Sequence, residues 1–118
     1  MVLSDNRLHP RVATDISVKV GIPGDNSGAR IIDISLGGIT ISGSDELAQV
    51  LTLDQENPSV IREHVISFSL PSSEFSEVCR LVNIRRLSQS KFEFGMKFVD
   101  LNSRDVASIS DYINNHVL

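Results

Sequence analysis

Residues 91–99, KFEFGMKFV, carry the sharpest alternation in the chain. Phe92, Phe94, Met96 and Phe98 fall on one face; Lys91, Glu93, Gly95 and Lys97 fall on the other. Side chains along a strand point alternately to its two faces. Large apolar groups at every second position therefore mark a half-buried strand with one face on a core. The same signature recurs at ISVKVGI (16–22), where Ile16, Val18, Val20 and Ile22 share a face, and at HVISFSL (64–70), where Ile66, Phe68 and Leu70 do.

Between these lie further strands and their punctuation. ARIIDIS (29–35) and GITISG (38–43) read as strands joined by a tight LGG turn whose glycines permit positive φ. PGDNSG (23–28) and PSSEFS (71–76) read as turns, EVCRLVNIRRL (77–87) as a long strand, and SQS as its turn. Residues 44–63 read as a long connection, with Ser44 capping one helical turn over DELAQVL before QENPS breaks it. Beyond 102 the period changes. Val106, Ile109, Ile113 and Val117 recur at steps of three and four, which predicts an amphipathic helix over about 102–117 capped by Asn102 or Ser103. Six short strands followed by one helix predict a mainly β fold, a small antiparallel barrel or sandwich with a helix packed on it.

The chain has 118 residues, 41% of them hydrophobic, which is enough for one domain with its own core. Its net charge of −4 argues against general binding to DNA or RNA, which needs a basic face, but not against a small anion held by a local cluster. A single cysteine, Cys79, rules out an internal disulfide and sits in an apolar run that suits a core residue. No apolar leader segment and no long apolar window are present, so the expectation is a cytoplasmic protein without membrane insertion. His9, His64 and His116 share no metal-ligand spacing, and no phosphate loop or nucleophile elbow is present. The expectation is a chain that is not an enzyme and has no cofactor.

Two short constellations remain. Arg7 and Arg11 lie four apart in NRLHPR, where Pro10 disfavours a helix and pushes His9 to extended geometry. Residues 1–12 thus read as a flexible arm, ahead of a barrel domain over 13–118. A guanidinium offers a rigid fork that matches phosphate oxygens or the O6/N7 edge of guanine, and its flat face stacks on a purine. In DISLGG, Asp33 and Ser35 alternate with Ile34, so a carboxylate and a hydroxyl are expected on one face with Gly38 beside them, as a hydrogen-bonding ledge. Taken singly, the first is two solvated charges and the second an ordinary hairpin end.

Together, in order, they resemble the PilZ family: R-x-x-x-R, then D-x-S-x-x-G beginning 22 residues after Arg11, filled by Arg7, Arg11, Asp33, Ser35 and Gly38. FEFGMKFVDLNSRDVASISDYI resembles the family's last strand and helix, including a G-x-x-F pattern at Gly95 and Phe98. The loosest fit is 44–63, longer than a minimal member would have. The resemblance implies a six-stranded barrel that binds cyclic di-GMP. Arg7 and Arg11 would engage its phosphates and guanine edges, and Asp33, Ser35 and Gly38 would hold a guanine from the barrel. Charge-assisted hydrogen bonds contribute about 1.5–3 kcal/mol each, so four or five reach the roughly −8 kcal/mol of a micromolar site after ordering costs.

The expected function is a receptor and adaptor whose arm orders over the nucleotide and makes a surface for an unidentified protein partner. The alternative is a nucleotide-independent module in pilus or flagellar assembly. Arg85 and Arg86 end the long strand, and at most one of them can share a face with a given ligand. Arg86, continuing the face of Val78, Val82 and Ile84, is the expected contact.

Overall fold

The computed structural model describes residues 10–21, 28–51 and 63–116. Six strands and two helices follow one another: β1 (Val12–Val20), β2 (Arg30–Ile34), β3 (Gly38–Gly43), α1 (Asp45–Leu51), β4 (Glu63–Leu70), β5 (Ser73–Arg86), β6 (Phe92–Phe98) and α2 (Ser103–His116). The strands pair antiparallel in the order β1-β2-β3-β6-β5-β4, with β4 returning to β1 to close a barrel. Closure leaves no open sheet edge.

The alternation read from the sequence sets the core. Ile31 and Ile34 of β2, Ile39 and Ile41 of β3, Ile66 and Phe68 of β4, and Phe94, Met96 and Phe98 of β6 all point into the barrel and are buried. Cys79 is fully buried among them, and burial, with the Glu77 charge as the lesser cause, pushes its thiol up to about 12. It is an inert core group. Leu47 and Leu51 bury the apolar side of α1, while the Ser44 carbonyl accepts the first helical bond from the Ala48 amide at 3.1 Å. Among the described residues no helix is long and apolar enough to cross a membrane.

Four expectations are corrected. β1 begins at Val12, which is buried, so the barrel takes up the end of what reads as an arm. PSSEFS is not all turn. Only Pro71 and Ser72 connect Leu70 to its partner Ser73, and Phe75 enters the core to stack on Phe68 with ring centroids 5.0 Å apart. Its apolar ring outweighs the serines around it. In the LGG turn neither glycine has positive φ; among the described residues that belongs to Gly21 and Gly28, which flank the β1–β2 connection. On α2, Val106 is exposed, and the buried face is Asp105, Ile109 and Ile113. Asn102 is the cap: its side-chain oxygen accepts from the Asp105 amide at 2.8 Å.

α2 is tied to the barrel at two polar points. The Tyr112 and Thr14 hydroxyls share a hydrogen bond of 2.5 Å. At the other, the carboxyls of Glu77 on β5 and Asp105 on α2, both buried, act on each other across the seam. Burial first, then Asp105 as partner and charge, pushes Glu77 up to about 7, against a smaller opposing effect of Arg104.

Candidate nucleotide-binding cleft

Strand register places one row of residues side by side on the barrel's outer face: Ala13 of β1, Asp33 of β2, Thr40 of β3, Gly95 of β6 and Asn83 of β5. Directly opposed residues in antiparallel strands share a face. Gly95, in the middle of the row, has no side chain, and the Asn83 amide lies across it; a Cβ there would stand 2.6 Å from the Asn83 Oδ1. The result is a flat polar floor. Around it opens a cleft of about 340 Å³.

Arg11 hangs over this floor from the residue before β1. Its Nη1 lies 3.4 Å from the Asp33 Oδ1 and donates to the Thr40 Oγ1 at 3.3 Å. Both contacts are long, and the guanidinium and carboxylate are 37% and 27% exposed. Exposed pairs of this kind contribute about 0–1 kcal/mol, so the guanidinium is held in place yet readily given to another anion. Arg7 lies outside the described residues.

Ser35 and Gly38 do not join the cleft. β2 ends at Ile34, so strand alternation stops before Ser35 and the expected ledge does not form. Ser35 is buried; its Oγ accepts from the Gly37 and Gly38 amides at 3.1 and 3.2 Å, and its amide donates to the Gly38 carbonyl at 2.9 Å. Gly38 pairs with Lys97, and a Cβ on it would collide with the Met96 carbonyl oxygen. Close approach of β3 to β6, rather than a left-handed backbone, requires glycine there. These two residues fix the turn that carries Asp33 and Thr40 on its two arms.

The strand-end arginines also resolve, against the expectation for Arg86. A bulge inserts Val82 into β5 between Leu81 and Asn83, so the parity of the strand changes there. Beyond it Arg86 opposes Phe92, packs on that ring at 5.5 Å, and donates to the Ser88 and Gln89 carbonyls at 2.9 and 3.3 Å. It is spent on the hairpin. Arg85 lines the cleft instead, with its Nη1 3.7 Å from the Glu93 Oε1. Sequence reading missed Thr40, Asn83, Arg85, Glu93 and Gly95 as cleft residues, because only the register and the bulge bring them together.

The chain matches the family model for the PilZ domain over residues 5–115. No curated protein sequence matches it. Among solved structures it is similar to the inhibitor of motility MotI/DgrA of Bacillus subtilis, at 14% identity and a TM-score of 0.71, over 94% of this chain and 50% of that one. It is similar to the PilZ domain of YcgR from Escherichia coli, solved with c-di-GMP, at 11% identity and a TM-score of 0.63, over 95% and 92% of the two chains. The PlzA protein of Borreliella burgdorferi, solved in complex with c-di-GMP, matches at 9% identity and a TM-score of 0.60, over 89% of this chain and 50% of that one. The chain thus spans about half the length of the MotI and PlzA chains. At these identities the neighbours establish the fold, and with the match of the family model over nearly the whole sequence, the chain belongs to the PilZ domain family.

Proposed function

We propose that the chain is a cyclic di-GMP receptor that acts by binding rather than by turnover. The observation that carries this reading is the position of Arg11: a guanidinium suspended by weak contacts over an open polar floor, with the Asp33 carboxylate at its edge. A phosphodiester anion or a guanine edge is a better partner for that fork than a carboxylate 3.4 Å away. Binding moves Arg11 from Asp33 to the nucleotide. The freed Asp33 carboxylate then accepts from guanine N1–H and N2–H₂. Membership of the PilZ family and the c-di-GMP complexes of two structural neighbours support the choice of ligand.

Charge balance assigns a part to Arg7. The described rim of the cleft carries Arg11 and Arg85 against Asp33 and Glu93 and is neutral. A ligand with two phosphates requires a further cation, and the family signature supplies it at Arg7, four residues before Arg11. The arm brings Arg7 over the nucleotide and closes the cleft, and the closed arm, ligand and barrel form the surface that a protein partner reads. Ser35 and Gly38 serve this site by holding the turn beneath it.

Calorimetric titration tests the reading. The parent should bind cyclic di-GMP saturably and unchanged in chemistry, and should discriminate strongly against cyclic di-AMP, whose adenines lack the donor pair that Asp33 accepts. Asp33→Ala should narrow that discrimination. No binding of cyclic di-GMP by the folded parent rejects the receptor.

A further inference from the structure

The cleft has a second arginine–carboxylate pair. Arg85 and Glu93 are register partners on β5 and β6, and they face outward because the Val82 bulge resets the parity of β5. They stand across the floor from Arg11 and Asp33. Asp33 and Gly95 are two strands apart, through Thr40, and Glu93 lies two residues along β6 from Gly95. Strand spacing and rise put the two carboxylate-bearing backbones roughly 12 Å apart.

The two pairs are built alike. In each, the carboxylate is sunk toward the floor, 27% exposed at Asp33 and 25% at Glu93, and the guanidinium stands out above it, 37% exposed at Arg11 and 74% at Arg85. In each the contact is long, 3.4 and 3.7 Å. As a mere cross-strand ion pair, Arg85–Glu93 would add little to the sheet. That role does not call for a location on the open cleft, nor for the side-chain-free Gly95 between the two pairs. A ligand made of two identical guanylate halves does call for two matching sets of donors and acceptors.

We infer that Arg85 and Glu93 form a second guanylate half-site, matching Arg11 and Asp33 across the Gly95 floor. Glu93 accepts from N1–H and N2–H₂ of the second guanine, and Arg85, released by its carboxylate, binds the adjoining phosphate. Gly95 keeps the floor between the halves flat. The inference rests on the receptor reading and adds that both guanines are read, by different carboxylates.

The test uses three dinucleotides: cyclic di-GMP, cyclic di-AMP and the hybrid 3′,3′-cyclic GMP-AMP. If both halves read guanine, the parent binds the hybrid at least tenfold more weakly than cyclic di-GMP, because its adenine must occupy one carboxylate half-site. Glu93→Gln offers one donor and one acceptor in place of the carboxylate. It should bring the hybrid within threefold of cyclic di-GMP, while cyclic di-AMP stays weak because Asp33 still reads one base. Arg85→Ala should lower cyclic di-GMP affinity about tenfold and flatten its salt dependence. A parent that binds the hybrid as tightly as cyclic di-GMP overturns the second half-site while leaving the receptor intact. So does an unchanged ligand ranking in Glu93→Gln, or an unchanged affinity in Arg85→Ala. Absence of any cyclic di-GMP binding by the parent overturns both readings together.

Discussion

The turn at Ser35–Gly38 and the rim formed by Arg11 and Asp33 belong to one short signature, yet they meet opposite physical demands. Ser35 and Gly38 are buried, and the polar contacts of Ser35 stay within the turn. Arg11 is exposed, Asp33 is half-buried, and the two are joined by a bond too long to be strong. One region is built so that it cannot move; the other is built so that its partners can be exchanged. A motif written as a string of letters hides this division, because strand alternation places Asp33 and Ser35 on one face only while the strand lasts, and β2 ends between them.

Substitutions in the two regions should therefore fail differently. The largest effect is expected at Gly38→Ala. Its methyl group meets the Met96 carbonyl on a paired strand, and backbone cannot step aside as a flexible side chain can. A loss of about 3 kcal/mol or more in urea unfolding should result, with binding lost only where the fold is lost. An unchanged midpoint would mean that the turn is as adaptable as the rim.

A pH series extends the comparison to the α2 contact, which is also buried but titratable. Glu77 holds its proton up to about 7 in the folded state, against an ordinary value of 4.5. The folded state thus keeps a proton that the unfolded chain releases. This contribution is complete below pH 4.5 and disappears as pH rises through 7. Stability should fall by roughly 2–3 kcal/mol between pH 5 and pH 8, and Glu77→Gln should flatten that slope. Equal slopes in parent and variant would remove Glu77 as the cause.

At the rim, Arg11→Ala should weaken cyclic di-GMP at least tenfold and shift stability by less than about 0.5 kcal/mol, since its ion pair is exposed. Arg86→Ala, at the hairpin, should stay within twofold of the parent in affinity. If Arg86 proves the more damaging of the two, the parity change at Val82 has been misassigned. The smallest effect on affinity is expected at Ser35→Ala. It strips the Gly37 and Gly38 amides of an acceptor at a cost of about 1 kcal/mol, with affinity nearly unchanged once the protein is folded.

Much of the fold was legible because alternation is a local property. Phe92 to Phe98 announce their face without reference to any neighbour, and the α2 boundaries follow from a cap and a period. Legibility stopped where one residue changes the count. Val82 in β5 reverses which arginine faces outward, and an inserted residue is invisible until the partner strand supplies the register. Phe75 was lost among serines for a related reason: its place in the core is set by Phe68 across the hairpin. Val106 has the right spacing for the buried face of α2, but Asp105 takes that side through Glu77. The signature named Arg11 and Asp33, whereas Thr40, Gly95 and Glu93 gather only when β3 and β6 pair.

Barrel closure also governs the order of events in folding. The hairpins β1–β2, β2–β3, β4–β5 and β5–β6 join near neighbours in the chain, whereas the two remaining seams, Val18 on Phe68 and Ile41 on Phe94, join residues about fifty apart. Two three-stranded sheets can assemble locally, but neither seals a core until both distant seams zip. Such topology belongs to the millisecond-to-second class of folders. Until β3 meets β6, Thr40 and Gly95 are not neighbours, and the cleft exists only once that seam has joined the two sheets.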